Sequence, residues 1–170
     1  MQTGIFCGGA DTIRTDFAKE VKALRVIAVV EEDKGPVRAA LEEVLRGKAR
    51  VVAPGERPPP YDVVVWERGG KKPVPPLCTR ALVVRGEDAG RALKRCRCEM
   101  VLTYGFGVRD TLTPSAILGE GCVLSLQRGL ITLDGEEVEP REVPAGRLTG
   151  EAETRMAVAA VCLLLGEAQA

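Results

Sequence analysis

Short runs of β-branched and aliphatic residues, alternating with stretches of helical spacing, constrain this chain more than any other feature. Arg25-Val26-Ile27-Ala28-Val29-Val30 reads as a strand, residues 37–45 as a helix, and Ala49-Arg50-Val51-Val52-Ala53 as a second strand. Pro36 stands at the helix's opening turn and Gly47 just past its end, the positions these residues favour. An unbroken apolar run has no period of two, so such a strand is buried on both faces, as in a parallel sheet covered on each side. Tyr61-Asp62-Val63-Val64-Val65-Trp66, Ala81-Leu82-Val83-Val84 and Met100-Val101-Leu102-Thr103-Tyr104-Gly105 repeat the theme. Between them lie a proline-rich loop at 54–60, a loop at 68–76 carrying Gly69-Gly70-Lys71-Lys72, and a short helix expected over 88–94. Ile13, Phe17, Val21 and Leu24 recur at helical spacing and predict a further helix over 10–24. Strands alternating with helices imply βαβ units and a mainly parallel sheet.

After Gly105 the pattern changes. Ala116-Ile117-Leu118, Val123-Leu124-Ser125-Leu126 and Leu130-Ile131-Thr132-Leu133 lie close together, punctuated by glycines and followed by the hairpin signal Asp134-Gly135. They predict an antiparallel meander, and residues 150–166 close the chain as a helix. The expected fold is therefore α/β: a mostly parallel sheet with flanking helices plus a C-terminal antiparallel meander, in one domain over 1–170. No repeat or linker divides it.

Charge narrows the function. Lys plus Arg and Asp plus Glu both number 24, and aromatics make up 4% of the chain. A balanced chain without clustered basic and aromatic residues is not built to read nucleic acid. No apolar stretch approaches the ~20 residues needed to span a bilayer, and the N-terminus lacks the basic start and apolar run of a signal peptide. The expected location is cytoplasmic, without membrane or nucleic-acid partners. The 6 cysteines, at 7, 78, 96, 98, 122 and 162, have no zinc-site spacing, and the chain has no histidine. No metal site is expected, and Cys7, Cys122 and Cys162 read as small buried hydrophobes. Without histidine, serine–histidine and cysteine–histidine nucleophile systems are excluded.

Several segments of the second half, in order, resemble the central domain of the Mur ligases, the ATP-dependent enzymes that add amino acids to UDP-N-acetylmuramate. Val83-Val84-Arg85-Gly86-Glu87-Asp88 is similar to that family's strand ending in Asn-x-Asp-Asp. Tyr104-Gly105-Phe106-Gly107, with Asp110 and the meander, comes next. Leu148-Thr149-Gly150 then opens a helix containing Ala157-Val158-Ala159-Ala160. Upstream, the strand ending in Glu67 resembles the one carrying the family's magnesium-binding glutamate. The likeness spans residues 61–166 and implies a link to cell-wall precursor metabolism. The departures are as informative. Nothing matches Gly-x-x-Gly-Lys-Ser/Thr, the loop that cradles ATP phosphates. The family's His-Asn-x-x-Asn becomes Ala152-Glu153-Thr154-Arg155-Met156, and methionine cannot hydrogen-bond an adenine edge. No ATP or other cofactor is expected, and the likeness implies a non-catalytic binding or regulatory module.

Candidate ligand-binding residues follow from the ends of the predicted parallel strands, where open α/β sheets place ligands. They are Glu67, Gly69, Gly70, Glu87, Asp88, Tyr104, Gly105 and Arg109. The glycines leave room near backbone amides, and Arg109 offers a planar fork for a carboxylate or phosphate. The expected partner is a small anionic ligand or another protein. Two rival readings stay open: a magnesium-dependent enzyme using Glu67, Glu87 and Asp88 on a phosphorylated or UDP-linked substrate, and a structural subunit docking on a partner chain.

Overall fold

The computed structural model describes residues 24–32, 35–67, 74–118, 121–145, 148 and 150–167. The helix expected over 10–24, apart from Leu24, and the loop carrying Gly69 and Gly70 lie outside these residues, as does Cys7. The chain runs β1 (Arg25–Val30), α1 (Pro36–Val44), β2 (Ala49–Val52), β3 (Tyr61–Trp66) and β4 (Leu77–Arg85). A 3-10 turn at Gly86–Asp88 leads into α2 (Ala89–Ala92) and β5 (Cys96–Tyr104). Then come β6 (Leu112–Leu118), β7 (Gly121–Leu126), β8 (Leu130–Ile131), β9 (Glu137–Val138), β10 (Arg141–Pro144) and α3 (Ala152–Leu164).

Eight strands form one sheet in the order β10-β7-β6-β5-β4-β3-β1-β2. From β2 to β5 every neighbour is parallel, and β6 joins β5 through a single parallel pair, Tyr104 with Leu112. The β6–β7–β10 end is antiparallel. The mostly parallel α/β architecture thus matches the alternation in the sequence. The meander differs in one strand: its third member is β10, not residues 130–133. Leu130 and Ile131 instead pair with β9 in a separate two-stranded sheet. The reason lies in a tertiary contact with α3. Leu133 is buried and its N–H donates to the Leu164 carbonyl at 2.8 Å, which draws this hairpin onto the end of α3 and away from β7.

The strand interiors are buried on both faces, as unbroken apolar runs require. Ile27, Val29, Val63, Val65, Ala81 and Val83 face α1 and α3. Val26, Ala28, Val30, Val64, Trp66, Leu82 and Val84 face the opposite way, into a cluster that includes Ala92 of α2. Helix α3 is apolar all round, with Met156 through Leu164 buried, the pattern of a helix packed in a core. Its first turn meets the end of β4 through Glu153 and Arg85. Its last turn meets the hairpin, and just beyond the helix Glu167 pairs with Lys48, the residue before β2. It therefore spans the domain from the C-terminal to the N-terminal edge of the parallel strands.

Candidate functional site

β1 and β3 lie side by side but send their chains in opposite directions, β1 outward to β2 and β3 towards β4. Such a switch point leaves a crevice at the carboxyl ends of the strands. Glu31 follows β1 there, and Glu67 follows β3. One Glu31 carboxylate oxygen accepts the Arg38 amide at 3.1 Å, at the start of α1, where an anion is favoured by the helix's exposed N–H groups. The other, Oε2, is buried with no hydrogen-bond partner among the described residues. Burial raises the Glu31 carboxyl above its ordinary range, the Arg38 and Val37 amides oppose this, and the charge of Glu67 adds to the rise. Gly35 packs directly against it, and a Cβ there would fall 2.1 Å from Glu31 Oε2 unless the carboxylate shifted.

The next strand ends extend this polar edge. Tyr104, fully buried at the end of β5, donates its hydroxyl to Glu67. Burial first, and then the Glu67 charge, hold its phenol well above the ordinary range. Arg85, at the end of β4, pairs with Glu153 at 3.0 Å and Glu87 at 2.6 Å. One guanidinium thus ties the strand to both the following turn and helix α3.

Beside these residues opens a pocket of about 360 Å³, lined by Arg85, Gly86, Glu87, Thr103 and Tyr104, and by the loop from Gly105 to Asp110 except Val108. The loop is pinned at its neck: the Thr111 N–H donates to the Thr103 carbonyl at 3.0 Å, and the Gly105 N–H to the Leu112 carbonyl at 3.1 Å. Inside it the buried carboxylate of Asp110 accepts the Gly107 amide at 2.9 Å. That carboxylate packs against Gly86 and Gly105, where a Cβ would come within 2.0 Å and 2.6 Å of its oxygens. Gly105 also has φ of 151°, which side-chain-bearing residues rarely adopt.

Of the residues singled out in the sequence, Glu87, Tyr104, Gly105 and Arg109 line this pocket, and Glu67 touches it through Tyr104. Asp88 does not line it; it is buried, 3.9 Å from Arg91. It makes no side-chain cap to α2 either. Gly69 and Gly70 lie outside the described residues. The three carboxylates Glu67, Glu87 and Asp88 therefore turn to different partners. Among the described residues, no group of three or more Cys, Asp or Glu is placed to hold a metal ion. Arg85, Thr103, Asp110, Glu31 and Glu153 are polar residues of this edge outside the candidate set. Glu31 was legible as the first polar residue after β1; Glu153, more than 60 positions from Arg85, carried no signal.

Fold and site together define an open α/β sheet with a polar pocket at the carboxyl ends of β4 and β5. No family model, curated protein or solved structure matches the chain.

Proposed function

We propose that the chain is a non-catalytic binding module whose ligand, a small anion, occupies the pocket between Glu87 and Arg109. The observation that carries this reading is how the polar groups of the pocket are spent. Arg85 is shared by two carboxylates, the Tyr104 hydroxyl is given to Glu67, and Asp110 holds the Gly107 amide. Each is committed to holding the loop and strand ends in place, and the phenol is held protonated far above neutral pH. A nucleophile or base needs a reactive atom free to face its substrate. Arg109 is exposed at the lip and unengaged among the described residues, so it recognises rather than reacts.

The likeness to the Mur central domain supplies the setting, a regulatory or binding role in cell-wall precursor metabolism, without ATP. Two features favour the loss of nucleotide binding. Met156, standing where the family has its adenine-side asparagine, is buried in the core, and Glu153 is engaged by Arg85.

The test is chemical-shift mapping with acetate, inorganic phosphate, pyrophosphate and magnesium–ATP. At least one simple anion is expected to move the amide resonances of residues 105–110, and Arg109→Gln is expected to weaken that response. Losing charged hydrogen bonds from Arg109 would cost on the order of 1.5–3 kcal/mol. Equal responses in wild type and Arg109→Gln, or micromolar binding of magnesium–ATP, would overturn the reading.

A further inference from the structure

We infer that the ligand of this pocket is an aromatic or heteroaromatic carboxylate bearing a single negative charge, its ring against Phe106 and its carboxylate on Arg109. The inference rests on the pocket being the binding site and adds the chemistry it selects.

Charge comes first. Among the described residues, the ionic side chains lining the pocket are Arg85, Glu87, Arg109 and Asp110, two of each sign. Arg85 is neutralised twice over, by Glu87 and by Glu153 behind it. A di- or triphosphate would enter beside Glu87 and Asp110 with one uncommitted guanidinium among the described residues to meet it, and like charges at close range would oppose it. A single carboxylate matches one guanidinium fork in both charge and geometry.

The ring follows from Phe106. It lines the pocket and is 63% exposed. Its exposure is a property of a built loop. The neck bonds through Thr103 and Leu112 and the Asp110–Gly107 contacts fix the backbone on both sides of it. An exposed aromatic side chain lining the same pocket as an arginine that is uncommitted among the described residues has the composition of a binding surface, and its face accepts a planar ring in offset stacking. Size agrees: about 360 Å³ lies at the small end of the ~300–1,000 Å³ typical of ligand pockets. It suits an acid of one or two rings rather than a dinucleotide.

The experiment titrates the full chain with benzoate, benzamide, acetate and pyrophosphate at millimolar concentrations, following the amide resonances of residues 103–110. Benzoate is expected to bind tighter than benzamide, which lacks the charge, and acetate, which lacks the ring, each by about tenfold. Phe106→Ala and Arg109→Gln should each weaken benzoate by about tenfold. Val108→Ser, outside the pocket lining, should leave it unchanged. Thermal melts of these exposed-loop variants verify folding. If pyrophosphate binds tighter than benzoate, or acetate binds as tightly and Phe106→Ala has no effect, the ligand class is wrong while the site stands. If no probe moves these resonances, the site reading fails as well.

Discussion

The Asp110 carboxylate packs so closely against Gly86 and Gly105 that it dictates both residues. Gly86→Ala would place a methyl group 2.0 Å from Asp110 Oδ1, and one of the two must move. The loss expected in urea denaturation is about 1–3 kcal/mol, the usual cost of overpacking. Shortening the carboxylate removes the clash, so the same glycine substitution made in an Asp110→Ala background should cost less. Additive losses would mean that the contact is not the cause. Glu31 offers a second test, on pH. Its carboxyl is raised above the ordinary 4.5, chiefly by burial. An acid whose folded value is raised favours the fold when neutral. That contribution is complete below about 4.5 and is lost as pH rises through the folded value. Glu31→Gln mimics the neutral form, so its stability relative to wild type should increase from pH 4 to pH 7. A difference independent of pH would refute this origin. Neither effect is visible in the sequence, where Asp110 lies 24 positions from Gly86 and nothing marks the Glu31 carboxyl as buried.

At the scale of elements, the strands were largely legible because each buried run is continuous. Their ends were less so. β4 begins at Leu77 and β5 at Cys96, several residues before the apolar runs, because Cys78, Arg97 and Glu99 belong to strands while remaining exposed. A polar residue on an exposed stretch of strand carries no apolar signal. Helix α3 shows the reverse. Its small residues, read as a generic apolar face, are the condition for its close fit against both the sheet and α1, since Ala157, Ala159 and Ala160 are fully buried. Ala160→Leu should therefore lower stability by about 1–3 kcal/mol, measured by thermal or urea unfolding. A neutral effect would show slack in the packing around α3.

For the molecule as a whole, the sheet's two edges have separate characters. The carboxyl ends of β1, β3, β4 and β5 carry Glu31, Glu67, Arg85 and Tyr104, while the cysteines at 78, 96 and 98 lie near the opposite ends of β4 and β5. Cys96 is buried and its thiol is pushed up to about 12, first by burial and then by the neighbouring Cys98 and Cys78. The thiolate is the reactive form, so among the described cysteines native labelling at pH 8 should modify exposed Cys78 first. Cys96, Cys122 and Cys162 should react only on unfolding. Rapid native labelling of Cys96 would contradict the packing of that edge.

Local physics decided the strand and helix types, the parallel character of the first half and the glycine-rich turns. Continuous β-branched runs, Pro36 at a helix start and the glycine in Asp134-Gly135 each act within a few residues. The candidate site was half legible for the same reason: Glu67, Glu87, Tyr104, Gly105 and Arg109 lie at or just beyond strand ends, and parallel strands bring those ends to one edge. What only the tertiary structure decided are pairings between distant positions. Arg85 with Glu153, Tyr104 with Glu67, Asp110 against Gly86, and β10 rather than residues 130–133 beside β7 all belong here. Each depends on which surfaces the core brings together. Chain separation carries no record of that, because the energy of such a contact is set by packing geometry and burial rather than by neighbouring residues.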